Sequence, residues 1–146
     1  MASSDNYTPI LPSNHSANKK IKDFIERFYA VSDDRSKNEE WVNYFLPDAT
    51  VIIGDRSAKG TDEIRRLRHG MWEDTELRLH RPEKVFPASF DEVNECEGDI
   101  EYMLQGLVYL ISKNGKQRAV SWAGRAVLNE VQGTLKYRFY QVFLRG

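Results

Sequence analysis

The chain has 146 residues, 40% of them hydrophobic, and 21 basic against 22 acidic residues leave a formal net charge of −1. That length suits one domain with a real core, and the balanced charge argues against a polyanionic partner such as nucleic acid. One cysteine, Cys96, excludes an intrachain disulfide, and no stretch approaches the roughly 20 apolar residues of a membrane-spanning helix.

Residues 1–17 are rich in Ser, Asn and Pro and show no periodicity. They read as a flexible tail, although "ILP" at 10–12 can dock on a neighbouring surface. They contain neither a basic n-region nor an apolar run resembling a signal peptide, so a cytoplasmic location is expected. Residues 18–146 read as a single domain. Ile21, Phe24, Ile25 and Phe28 fall at i, i+3, i+4 and i+7, the apolar stripe of a first helix. "SKNE" (36–39) has the form of a capping box and predicts a second helix, with Trp41, Val42 and Phe45 inward and Pro47 at its end. "ATVIIG" (49–54) is a β-branched strand. A third helix follows, with Thr61 as N-cap and Ile64, Leu67 and Met71 as its buried stripe. Arg65, Arg66 and Arg68 read as its solvated face.

Everything beyond residue 76 reads as β. "LRLHRPEKVF" is a strand that Pro82 confines to an edge or a bulge. A long strand through "EVNECEGDIEYMLQGLVYLIS" has Gly98 and Gly106 as bend points. Asn-Gly in "KNGK" (113–116) predicts a type I′ hairpin turn, and Gly133 marks another. Helices grouped before a meandering sheet make an α+β domain: three N-terminal helices on a curved, mostly antiparallel sheet, forming a cone that encloses a pocket. The sheet's outer face is left uncovered, which predicts a homodimer through it.

The stretches "FIERFYAVSDDRS", "WVNYFLPDATVIIG", "GTDEIRRL", "LHRPEKVF", "GDIEYML", "SWAGRAVL" and "YRFYQVFL", in this order, resemble the SnoaL-like branch of the nuclear transport factor 2-like superfamily. The resemblance spans residues 20–145. That superfamily includes polyketide cyclases, a ketosteroid isomerase, scytalone dehydratase, epoxide hydrolases and proteins without catalysis, so the fold alone does not choose an activity. The local pattern is most similar to the scytalone dehydratase type, whose strand histidine corresponds to His80. Its Tyr-Asp pair is similar to Tyr29 with Asp33 or Asp34. The second histidine of that type has no counterpart in "YMLQGLVY", and Trp122 and Arg125 stand where it carries histidines and an asparagine. Dehydration of scytalone is therefore not assigned.

As a histidine, His80 is a candidate acid or base, whereas a plain strand histidine would only satisfy a backbone carbonyl. Asp33 or Asp34, beyond making the turn, can orient the His80 tautomer, with Asp33 preferred. Tyr29 can donate to a developing enolate or alkoxide, or simply belong to the core. Trp41, Trp72, Phe86 and Tyr102 are candidate pocket walls for a small hydrophobic ligand. Trp122, Phe139 and Gln141 join them from the last two strands. Strand alternation sets Trp122 in phase with Gly124 and Ala126 and turns Arg125 to the opposite face. No metal or cofactor is expected: His15, His69 and His80 are scattered, "GDRSAKG" lacks the spacing of a phosphate loop, and Cys96 lies among acids that disfavour its thiolate. The resulting expectation is a cofactor-independent isomerase, cyclase or dehydratase acting on a small oxygenated metabolite. The rival is a non-catalytic ligand-binding or protein-interaction module.

Overall fold

The structure, a computed structural model, describes residues 7–13, 17–88 and 99–144. His15, Cys96 and Gly98 lie outside them. Three helices, α1 (Asn18–Ser32), α2 (Asn38–Val42) and α3 (Thr61–Gly70), pack on a six-stranded sheet. Its strands are β1 (Phe45–Ile53), β2 (Arg56–Lys59), β3 (Thr75–Ala88), β4 (Ile100–Ser112), β5 (Gln117–Val131) and β6 (Thr134–Leu144). The spatial order is β2-β1-β6-β5-β4-β3, and only the β1–β6 pairing is parallel. The α+β class and the curved, largely antiparallel sheet are as the sequence predicts.

The α1 stripe is buried as its spacing requires, with Ile21, Phe24, Ile25 and Phe28 all 2% exposed or less. One end of the cone is filled by aromatics. Tyr137 meets Phe24, Phe28 and Phe45 at centroid distances of 4.8–4.9 Å, mostly edge to face.

Several local expectations are corrected. The capping box does not form, because the Ser36 hydroxyl and N–H both donate to Asp34 instead, and Glu39 pairs with Arg65. The second helix stops at Val42; Phe45 is inward, as expected, but opens a strand that runs through Pro47. "GDRSAKG" is a β-hairpin turn and strand, with Ile53 paired to Arg56. At 113–116 only Gly115 has positive φ, so the hairpin closes by a longer turn in which the Gly115 N–H donates to the Ser112 carbonyl. The tight turn with two positive-φ residues is Gln132-Gly133, flanked by the pair Val131 and Thr134.

Part of the expected tail is also ordered. Tyr7 is 3% exposed, and Ile10 makes two backbone hydrogen bonds with β3, to Glu83 and Val85. β3 is an edge strand, as Pro82 predicts, and residues 7–13 cover part of that edge.

Candidate active site

Asp33 is the C-cap residue of α1, its backbone N–H held by the Tyr29 carbonyl. From there its carboxylate reaches across to β3. Asp33 Oδ1 lies 2.5 Å from His80 Nδ1, and Oδ2 accepts the His80 backbone N–H and the Tyr7 hydroxyl, each at 2.8 Å. The two side chains are 6% and 11% exposed, so the pair sits where solvent screens it weakly. Three donors fix the carboxylate, and the carboxylate in turn fixes the imidazole. Of the two adjacent aspartates, Asp33 is the one brought to His80. Asp34 faces outward, and hydrogen bonds from Ser36 hold its carboxyl below the usual range.

The other edge of the His80 ring makes no hydrogen bond with any described residue. His80 lines an enclosed chamber of about 40 Å³ together with Trp41, Arg78, Trp122, Tyr140 and Met71. That volume admits a small polar head group or a water, not a whole metabolite. Outward lies a vestibule of about 390 Å³, sharing Ile53, Met71, Arg78, Val108 and Leu144 with the chamber as a common wall. A space of that size suits a molecule of one or two rings. The largest groove, about 670 Å³, lies at the far side between α1 and the β5–β6 turn and reaches none of these groups.

Tyr29 stands behind the chamber. Its ring is 5.0 Å from the His80 ring, and its hydroxyl meets that of Tyr140 at 2.8 Å. Burial raises the pKa of both tyrosines, so both are neutral donors at ordinary pH. Tyr140, not Tyr29, lines the chamber itself.

Arg68 overturns the expectation of a solvated helix face: it is fully buried. It stands four residues after Ile64, on the same helix face, and that spacing was the available signal. Its guanidinium donates to the Ser32 and Asp34 carbonyls at 2.8 and 2.9 Å and to Asn38 Oδ1 at 2.8 Å. A cation at the carbonyl end of α1 complements the helix dipole and anchors the turn that carries Asp33. Burial lowers its pKa to about 10, and it is still charged at pH 7. Trp72 is buried, yet it lines a side groove rather than the chamber and is flanked by Arg35, Arg68 and Arg78 at 5.1–5.7 Å.

Trp41 and Trp122 line the chamber, and Arg125 projects outward to pair with Glu101 at 2.8 Å. Four of the other wall residues are corrected. Phe86 is 55% exposed on the outer face of the sheet. An ideal strand would put residues 80, 82, 84 and 86 on one face. Glu83 is an extra residue between the pairs Pro82–Gly106 and Lys84–Gln105, and it shifts the phase so that Val85 turns inward. Phe139 and Gln141 leave the cone for the same reason. Arg138 is extra between Tyr137 and Phe139, so Tyr140 and Val142 face inward. Tyr102 is buried in the aromatic cluster and does not line the chamber. Arg78, Tyr140 and Tyr7 were not singled out from the sequence. Arg78 was accessible to it, two residues before His80 on an alternating strand.

Among the described residues no group of three His, Cys, Asp or Glu side chains could hold a metal ion, and no helix is long and apolar enough to cross a membrane.

No family model and no curated protein matches the chain. Solved structures do. A scytalone dehydratase candidate from Novosphingobium aromaticivorans DSM 12444 superposes with a TM-score of 0.76 at 13% identity, over 88% of this chain and 84% of that one. A type 2 hexachlorocyclohexane dehydrochlorinase (LinA) gives 0.74 at 11% identity, over 90% and 86%. ActVI-ORFA from Streptomyces coelicolor gives 0.73 at 15% identity, over 89% and 98%. These likenesses establish that the chain shares the fold of these proteins. At such identities they establish the fold alone.

Proposed function

We propose that the protein is a cofactor-independent enzyme of the isomerase, cyclase or dehydratase type, acting on a small hydrophobic oxygenated molecule. The observation that carries this reading is the His80–Asp33 pair, buried at one edge and facing a chamber at the other. Asp33 holds the proton on Nδ1, which leaves Nε2 as the basic nitrogen toward the chamber. When Nε2 takes a proton from substrate, the carboxylate 2.5 Å away stabilises the resulting imidazolium. The Tyr29–Tyr140 pair places a neutral hydroxyl at the same chamber, able to donate to an oxygen that gains charge. The names of two structurally similar proteins, a scytalone dehydratase candidate and a hexachlorocyclohexane dehydrochlorinase, agree with this class of chemistry.

The test needs no known substrate. A panel of enolisable cyclic ketones is incubated with the protein in D₂O, and exchange of the protons next to the carbonyl is followed by NMR. The wild type should accelerate exchange, and His80→Asn should remove that acceleration by about 10²–10⁴-fold while keeping the fold. Equal exchange by variant and wild type would remove His80 from the chemistry. Saturable binding without exchange would instead favour a ligand-binding module.

The outer face supports a homodimer as part of the same proposal. Phe86, Met103, Arg125 and Gln141 form one cross-strand row there, and Phe86 and Met103 are 55% and 40% exposed. Tyr109 and Phe143 extend the apolar surface. Light scattering at micromolar concentration should return twice the 17.0 kDa chain mass; a monomer there would rule the dimer out.

A further inference from the structure

Among the described residues Arg78 is the one arginine or lysine that lines the inner chamber, and it also lines the vestibule and the side groove. It stands two positions before His80 on β3, so the two side chains project from the same face about 7 Å apart along the strand. Its Nη1 donates to the Met71 carbonyl at 3.0 Å, its Nε makes no hydrogen bond within the protein, and its ring neighbour is Trp72. No described carboxylate comes within ion-pairing distance of it. Two neighbouring guanidinium groups are already engaged: Arg68 caps α1, and Arg35 binds the Thr75 and Glu76 carbonyls.

A largely buried cation without a paired anion is costly to keep in a fold. Burial accordingly lowers the pKa of Arg78. The vestibule wall carries charges of both signs, Arg56 and Arg118 together with Asp55, Glu73 and Asp74. Arg78 lies inside, beside the proposed base, where the Asp33 carboxylate acts on it through space without pairing with it.

We propose that Arg78 receives an oxygen that becomes anionic on the substrate, which makes the substrate class a small carbonyl compound bearing an acidic C–H next to the carbonyl. This rests on the reading of His80 as base. The C–H proton passes to His80 Nε2, the C–H electron pair forms a carbon–carbon double bond, and the carbonyl π pair moves to oxygen. The enolate oxygen then lies against the Arg78 guanidinium. In a β,γ-unsaturated carbonyl the enolate extends to the γ-carbon; return of the proton from His80 to that carbon moves the double bond to the α,β position, re-forms the carbonyl and completes an isomerisation, with no oxidant or reductant. The small chamber holds the carbonyl end, and the vestibule holds the hydrophobic remainder.

The probe is cyclohexane-1,3-dione, an enolate at neutral pH, compared with neutral cyclohexanone of the same ring size. Binding is read by tryptophan fluorescence, and the Arg78 side-chain Nε–H resonance is followed by NMR in the wild-type protein. The dione should bind at least tenfold tighter than cyclohexanone and should shift that resonance. Arg78→Gln should lose at least tenfold in dione affinity with little change for cyclohexanone, whereas Arg78→Lys should keep most of the preference. Arg35→Gln, next to Trp72 but outside the chamber, should match the wild type. A folded Arg78→Gln protein that binds dione as tightly as wild type overturns the inference, and so does an Nε–H resonance unmoved by saturating dione. If Arg78→Gln does not fold, the wild-type resonance and the lysine variant decide. His80→Asn separates the two claims: it should abolish proton exchange yet still bind the dione. Exchange that survives in His80→Asn removes the base while leaving the Arg78 result standing.

Discussion

The two ends of the cone are built from the same layers but treat polar groups in opposite ways. At the closed end Phe24, Phe45 and Tyr137 interlock at about 5 Å and fill the space between α1 and the sheet. At the other end the interior keeps a chamber, and His80, Arg78 and Tyr140 face it. The closed end supplies apolar burial, which is what holds the layers together. The chamber end spends side chains on hydrogen bonds and charge, which stabilise little net but orient strongly. Stability and chemistry are thus carried by different halves of one core, and substitutions should separate them.

The sharpest separation is expected at Phe24, which is 2% exposed and does not itself line the chamber. Phe24→Ala should cost about 3–5 kcal/mol, read by denaturant unfolding. The exchange rate per folded molecule should stay unchanged; a parallel loss would show that the two ends are coupled.

Removing residues 1–17 should break the separation instead. Tyr7 contributes both packing and a hydrogen bond to Asp33, and Ile10 ties to β3. Burial of a side chain that size is worth about 1.5–3 kcal/mol. A chain starting at Asn18 should therefore melt several degrees lower and exchange protons more slowly, because the carboxylate that orients His80 loses a donor. A melting point equal to that of the full chain would show that residues 7–13 add nothing.

The smallest of the three effects concerns the bulge. Gly106 faces Pro82, where a Cβ would overlap the Arg81 carbonyl. Gly106→Ala should cost about 1–3 kcal/mol by overpacking. It should also disturb the backbone carrying His80, which comparison of amide chemical shifts around residues 80–85 would detect.

Much of this was legible from local rules. Helical spacing in α1, the β character of everything after residue 76 and the edge position implied by Pro82 are properties of neighbouring residues. So is the outward turn of Arg125 opposite Trp122, since alternation on an unbulged stretch is set by the backbone itself. His80 could be picked out because it is one of only three histidines in the chain and falls inside a strand.

What tertiary structure alone decided follows from partners distant in sequence. An extra residue in a strand reverses which side chains face inward, and whether it is accommodated depends on the strand opposite, as Gly106 opposite Pro82 shows. That is why Phe86, Phe139 and Gln141 left the cone and Val85 and Tyr140 entered it. Asp33 and Asp34 are chemically identical neighbours, and only the end of α1 against β3 distinguishes them. Arg68 carries the same charge as the exposed Arg65 and Arg66, but the unpaired carbonyls of α1 wait at its tip. Composition and period state what each residue prefers; the preference that prevails is set by which unsatisfied group the fold brings within about 3 Å of it.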